Sequence, residues 1–280
     1  MYLETQVKEW IGFENHKLVG DRRGPEDAPP VIFLHGGGQT RHSWGGAASI
    51  VAQKGWQTIS LDLRGHGDSD WSRDRRYPTN YHVEDLRAIV QQLQVPPVLI
   101  GASWGGITSL LLEGESPENL CKALVLVDIA PHVEIKGVER VIAFMRAYPD
   151  GFGSLEEVAD AVASYMPGRP RPKNTKGLEK NLRKRDGRYF WHWDPNLLDG
   201  VGSDEIYTQE RLETAARAIQ VPTLLVRGKL SDIVSEEGAK AFMELVPHAK
   251  FTDVSDAGHM VAGDKNDIFT NAILEFMTQL

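Results

Sequence analysis

The sequence predicts an α/β fold: a mostly parallel central sheet of about eight strands with helices on both faces, plus an inserted helical lid. Three observations carry this reading. Short, almost wholly apolar runs recur along the chain, segments of helical spacing separate them, and the alternation stops in the middle before resuming. Strands buried on both faces read as continuous apolar runs, and strands alternating with helices build a parallel sheet.

The elements follow in order. The first thirty residues, with GDRRGPEDAPP, suggest an antiparallel hairpin ahead of the parallel series. The runs VIFLH (31–35), TISLDL (58–63), PVLIGA (97–102), KALVLVDI (122–129), PTLLVRG (222–228) and AKFTDV (249–254) read as strands. Between them HSWGGAASIVAQKG, NYHVEDLRAIVQQLQ, SWGGITSLLLEG and SEEGAKAFMELVP have helical spacing. In YHVEDLRAIVQQL, for example, Val83, Leu86, Ile89, Val90 and Leu93 share one face. The C-terminal DIFTNAILEFMTQL repeats that pattern. From Pro131 to Gln220 the helices look consecutive: VERVIAFMRAYP, SLEEVADAVASYMP, TKGLEKNLRKRDG and TQERLETAARAI. The expected organisation is a core of residues 1–130 and 221–280, interrupted by a helical cap over 131–220.

Composition bounds the function. The chain has 280 residues, with 31 Lys+Arg against 39 Asp+Glu, a formal net charge of -8. That balance disfavours nucleic acid or an anionic membrane as the main partner. A single cysteine, Cys121, makes neither an internal disulfide nor a thiolate zinc cluster, and it reads as a packing residue. The N-terminus lacks a basic-then-apolar signal pattern, and no apolar run approaches the roughly 20 residues that span a bilayer. The expectation is a cytoplasmic protein; nothing requires a metal or organic cofactor, and a homodimer is allowed.

The chemistry centres on Ser103, in Gly101-Ala102-Ser103-Trp104-Gly105, where an apolar strand turns into a helix. A tight turn there needs small neighbours two residues before and after the serine. It exposes the hydroxyl at a helix N-terminus, where backbone N–H groups favour developing negative charge. A serine hydroxyl needs a base. His259, in the small-residue loop DAGHM ahead of the last helix, is the strongest of nine histidines. A carboxylate should orient the imidazole. Asp232, in RGKLSDIVS after a strand, is the first choice; Asp128, which closes KALVLVDI, is the runner-up. The turn HGGG (35–38) supplies an oxyanion donor, Gly37 first with Gly38 as the alternative, together with the N–H of Trp104. It has no G-K-[ST] or complete G-x-G-x-x-G, so a phosphate loop is disfavoured.

Together LHGGGQTRHSW (34–44), LDLRGHGDSD (61–70), GASWGG (101–106), LLVRGKLSDIV (224–234) and AGHM (257–260) resemble the α/β-hydrolase superfamily over the whole chain except the cap. The resemblance implies a nucleophile elbow at Ser103 and the chain order Ser, acid, His. Serine at the elbow departs from the Asp-nucleophile dehalogenases and epoxide hydrolases. GASWGG also differs from the GDSAGG of hormone-sensitive-lipase-type esterases. The chain is more similar to small lid-bearing esterases, lactonases, cofactor-free haloperoxidases or perhydrolases, and carbon–carbon bond hydrolases. The expected activity is hydrolysis of small carboxylic esters through an acyl-enzyme. A small-molecule receptor with vestigial turnover is the alternative from outside enzymology. In DLRGHGDSD, Gly65 and Gly67 are expected to shape a turn, with Arg64, His66 and Asp68 bonding locally.

In the cap, RYFWHWDP (188–195) packs four aromatics around His192. Trp191 and Trp193, with Trp104, are candidates to line a substrate pocket, against the alternative of a cap core. In KGLEKNLRKRDGR (176–188), six of thirteen residues are Lys or Arg, expected on a solvated helix face.

Overall fold

The alternation of apolar strands and amphipathic helices builds one eight-stranded sheet. In the computed structural model, residues 4–166, 171–172, 174–200, 207–255, 257–259 and 266–280 are described. The strands are β1 (Gln6–Ile11), β2 (Lys17–Arg23), β3 (Pro30–Leu34), β4 (Gln57–Leu61), β5 (Val98–Ala102), β6 (Ala123–Val127), β9 (Thr223–Gly228) and β10 (Lys250–Val254). Their spatial order is β1-β2-β4-β3-β5-β6-β9-β10. The hairpin β1–β2 and its junction with β4 are antiparallel, and every other pairing is parallel.

Strands β3, β5 and β6 are apolar throughout because both faces are covered. In β3, Ile32 and Leu34 enter one core layer, and Val31 and Phe33 enter the other. The first layer lies under α2 (Thr79–Gln91), α3 (Trp104–Gly114), α6 (Gln209–Ala218) and α7 (Glu236–Leu245). The second lies under α1 (Gly45–Gln53) and α8 (Asn266–Met277). Among the described residues, no helix is long and apolar enough to cross a membrane.

Between β6 and β9 the chain leaves the sheet. It forms α4 (Ile135–Arg146), α5 (Leu155–Tyr165), a 3-10 turn (Thr175–Asn181), the antiparallel hairpin β7 (Leu182–Arg185) and β8 (Arg188–Trp191), and a second 3-10 turn (Pro195–Leu198). This corrects the expectation of consecutive helices. The basic stretch 176–188 is a 3-10 turn and a hairpin, folded at Asp186 and Gly187, both at positive φ (48° and 79°). Helix α6, expected in the cap, covers the sheet instead. Its Leu212, Ala215 and Ala216 join the first core layer, and it lies so close to α3 that a Cβ on Gly114 would meet the backbone of Ala215.

Candidate active site

The strand-to-helix turn after β5 carries the serine as its sequence requires. Ser103 has φ 46° and ψ −114°, a conformation L-residues rarely adopt. Its flanking glycines are obligatory by close approach: a Cβ on Gly101 would meet the carbonyl of Gly105, and one on Gly105 would meet that of Leu34. The turn is anchored on both sides, since Ser103 N–H donates to Val127 O (3.2 Å) and Gly105 N–H to His35 O (3.1 Å).

Val127 ends β6, and the next residue, Asp128, also sits at positive φ (50°). Its carboxylate is fully buried. It accepts from His259 Nδ1 (2.7 Å), Ser231 Oγ (2.5 Å) and the backbone N–H of Gly228 (3.0 Å). The loop that carries His259 is fastened to the end of β9: Leu230 N–H donates to Ala257 O (2.8 Å). A Cβ on Gly228 would meet the carbonyls of Ala257 and Gly258. With Nδ1–H committed to Asp128, the Nε2 lone pair of His259 is the one left to act as base.

Asp232 is elsewhere, and the expected acid is corrected accordingly. Its carboxylate pairs with Arg140 of α4 at 2.9 Å, both side chains substantially exposed. The loop after β9 turns Ser231 inward to Asp128 and aims its neighbour Asp232 outward to the cap. Asp128 was legible as the second carboxylate closing a strand, and it is the one that contacts His259.

Gly37, Ser103 and Trp104 line one cleft of about 100 Å³. Among the described residues, no protein acceptor meets the N–H of Gly37 or of Trp104. The walls are aliphatic, with Ile107, Ile129 and Ile233 from the core and Val138, Val141, Ile142 and Met145 from α4; Tyr207 adds a phenol. Burial raises the pKa of that phenol. Trp104 lines the cleft as expected, but Trp191 and Trp193 do not. They stack on each other (centroids 4.9 Å apart, 12° between planes) in a cap core with Met145, Leu197 and Tyr77. Trp193 Nε1 donates to Met145 O (3.3 Å), bracing the wall from behind.

The loop LDLRGHGDSD does shape a turn through Gly65 (φ 76°) and Gly67 (φ 55°), and His66 bonds locally to Arg64 O (3.1 Å), but the side chains of Arg64 and Asp68 reach outside the loop. Arg64 forms a buried bidentate pair with Asp85 of α2 (both contacts 2.8 Å). Asp68 bridges Arg41 of the core and Arg183 of the cap hairpin, each at 2.7 Å. Asp194 accepts from Tyr77 Oη (2.6 Å). The loop is therefore a polar joint between the sheet and the segment inserted between β6 and β9.

A helix-covered parallel sheet with a serine on a strained strand-to-helix turn at its C-terminal edge is the architecture of the α/β hydrolases. Residues 29–265 match the alpha/beta hydrolase fold family, and the chain belongs to it. Among curated relatives, the esterase Rv0045c of Mycobacterium tuberculosis is 29% identical over 247 residues, covering 85% of this chain and 79% of the relative. The sn-1-specific diacylglycerol lipase ABHD11 of Mus musculus is 29% identical over 270 residues, 91% of this chain and 82% of that one. A solved structure of the same mycobacterial esterase superposes with a TM-score of 0.80 at 26% identity, over 99% of this chain and 93% of the other. E-2-(acetamidomethylene)succinate hydrolase shares the fold, with a TM-score of 0.85 at 22% identity over 98% and 100% of the two chains.

Proposed function

We propose that the protein is a serine hydrolase that cleaves small carboxylic esters with an apolar acyl group. The observation that carries this reading is the pairing of His259 with buried Asp128 one residue beyond the carbonyl that anchors Ser103. Ser103 attacks the ester carbonyl and His259 takes its proton through Nε2. Asp128 holds the imidazole and stabilises the cation that forms. The N–H groups of Gly37 and Trp104 receive the tetrahedral oxyanion. His259 then protonates the leaving alkoxide, and water hydrolyses the acyl-enzyme by the reverse proton path. The relatives named esterase and lipase support the ester bond as the target, and the aliphatic walls support an acyl chain as its occupant. We read the cap as the lid over this cleft and the protein as acting in the cytoplasm without metal or organic cofactor.

The test is hydrolysis of p-nitrophenyl esters, acetate through decanoate, by the wild type and Ser103→Ala. Turnover that falls on the order of 10⁴- to 10⁶-fold in the variant supports the proposal. A well-folded wild type that turns over none of them, or a variant that retains activity, overturns it.

A further inference from the structure

The segment around His192 is the least ordinary in the sequence, and the mechanism above does not use it. His192 follows β8 in the cap and is completely buried. Its Nδ1 accepts from Gly67 N–H (2.8 Å), and its Nε2–H donates to Gly38 O (3.3 Å). Gly38 belongs to the turn that presents Gly37 to the cleft. The N–H of Gly38 donates in turn to Nε2 of His66 (3.2 Å), whose Nδ1–H is taken by Arg64 O (3.1 Å). A third ring completes the set. Nδ1–H of His35 donates to Gly36 O (2.8 Å), while its Nε2 accepts from Leu63 N–H (3.0 Å). The carbonyl of Gly36 shares its peptide plane with the N–H of Gly37, so fixing one aims the other. Gln39 N–H also donates to that carbonyl (3.1 Å).

Each ring donates from one nitrogen and accepts at the other, which only a neutral imidazole can do. Burial keeps them so, with His35 pushed down to about 4, His66 to about 3 and His192 also lowered. The three rings lie in sequence, His35 to His66 at 4.9 Å and His66 to His192 at 5.8 Å between centroids.

We propose that His192 is a positioning residue for the oxyanion turn, so that the cap, by supplying it, completes the alignment of the Gly37 N–H donor. This rests on the serine-hydrolase reading. Gly38 is held at its N–H by the core and at its C=O by the cap, at φ 72°, a region where a turn without side chain is otherwise free to rotate. His192 reaches it only when the β7–β8 hairpin is docked, through Gly67, Arg183 and Asp68. An undocked cap then costs transition-state stabilisation as well as cleft walls.

The experiment separates the two contacts of the ring. His192→Gln keeps a donor near the place of Nε2; His192→Asn keeps an acceptor near the place of Nδ1. On a p-nitrophenyl ester turned over by the wild type, His192→Asn is expected to lower kcat about tenfold, with KM moving less than about twofold. His192→Gln is expected to recover most of that kcat. Affinity for an alkylboronic acid, a mimic of the tetrahedral adduct, should fall in step with kcat, while inhibition by the product carboxylate should not. Arg183→Gln, at a half-exposed position, loosens the hairpin without a buried defect and is expected to lower kcat about threefold in the same pattern. A folded His192→Asn with wild-type kcat and boronate affinity overturns the inference. So does a loss confined to KM, or, should that variant not fold, an Arg183→Gln that loses KM alone. Either failure beside a wild type that hydrolyses esters and a dead Ser103→Ala leaves the serine hydrolase standing. A wild type with no ester turnover fails both.

Discussion

Asp128→Asn and Asp232→Asn separate the two carboxylates that close adjacent strands. The Asp128 carboxylate is wholly buried and accepts three hydrogen bonds, including 2.7 Å from His259 Nδ1. An amide in its place keeps the shape and one acceptor oxygen. If its NH₂ faces the ring, Nδ1 must accept and the proton moves to Nε2, where it blocks the base. A wrong tautomer in a serine triad costs about 10⁴-fold in kcat, which is about 5.4 kcal/mol of transition-state stabilisation. Asp232, in contrast, lies with 37% of its side chain exposed against an Arg140 that is 51% exposed. An exposed pair contributes about 0–1 kcal/mol, so Asp232→Asn is expected to move kcat by less than about threefold. The assay is kcat and KM on the best p-nitrophenyl ester for both variants and Ser103→Ala, with thermal melts alongside. Asp128→Ala belongs in the melts, because it strands the Gly228 N–H in the interior at a cost of about 1–3 kcal/mol. An Asp128→Asn enzyme within tenfold of wild type, together with a collapse in Asp232→Asn, would refute the reasoning and return the acid to Asp232.

Other expectations follow from the same contacts. Gly101→Ala and Gly105→Ala drive a methyl into the carbonyls of Gly105 and Leu34, and should lower stability by about 1–3 kcal/mol and abolish most activity; melts and kcat check both. The buried histidines predict acid sensitivity. Each is neutral when folded and titrates near 6.5 when unfolded, so the unfolded chain takes up protons first as pH falls. Stability is full above about pH 6.5 and declines from there, through about 4 for His35 and about 3 for His66. The slope approaches about 1.4 kcal/mol per pH unit for each such ring, and urea unfolding at pH 7.5, 6 and 5 that gave one constant stability would contradict it. Ile142→Phe fills the aliphatic cleft from α4 and should cut kcat/KM for decanoate relative to acetate by about tenfold or more. An unchanged chain-length profile would place the acyl chain elsewhere.

The core was legible because its physics is local. Strands covered on both faces are nearly all apolar, as in β3, β5 and β6, and helices with one covered face repeat at 3.6, so those strands stand out in the letters. The elbow was legible through Gly101 and Gly105, whose missing side chains are a direct record of backbone contact. The internal layout of the segment between β6 and β9 was not, for two reasons. Lys, Arg, Leu and Glu between 176 and 188 are good helix formers, and their summed propensity outweighed the Asp186-Gly187 pair. Asp-Gly between two strand-length runs is a strong hairpin signal, and both residues take the positive φ that a type I′ turn demands. Helix α6 reads as one more inserted helix because no strand signal separates it from the helices before it. What places it on the core is the fit of Ala215 and Ala216 against α3 at Gly114, a match between residues a hundred positions apart.

The choice of acid shows where sequence order stops being informative. Asp128 and Asp232 both follow parallel strands, both precede His259, and both satisfy the order Ser, acid, His. Backbone conformation separates them. Ser103 and Asp128 hold φ of 46° and 50° at the ends of neighbouring strands β5 and β6, whereas Asp232 has no such strain. Residues held in sparsely populated conformations cost of order 1–3 kcal/mol each and persist where the surroundings over-determine them. Here the surroundings are visible: the glycines pressed on Ser103, and the Gly228 N–H and Ser231 hydroxyl clamped on Asp128. Two strained residues side by side on one sheet edge, one presenting a hydroxyl to an apolar cleft and the other a dry carboxylate to an imidazole, are hard to account for by stability alone. The strain is explained if the pair is kept to place a nucleophile and its orienting charge, and that supports Asp128 as the acid of the proposed mechanism on grounds independent of the hydrogen bond to His259.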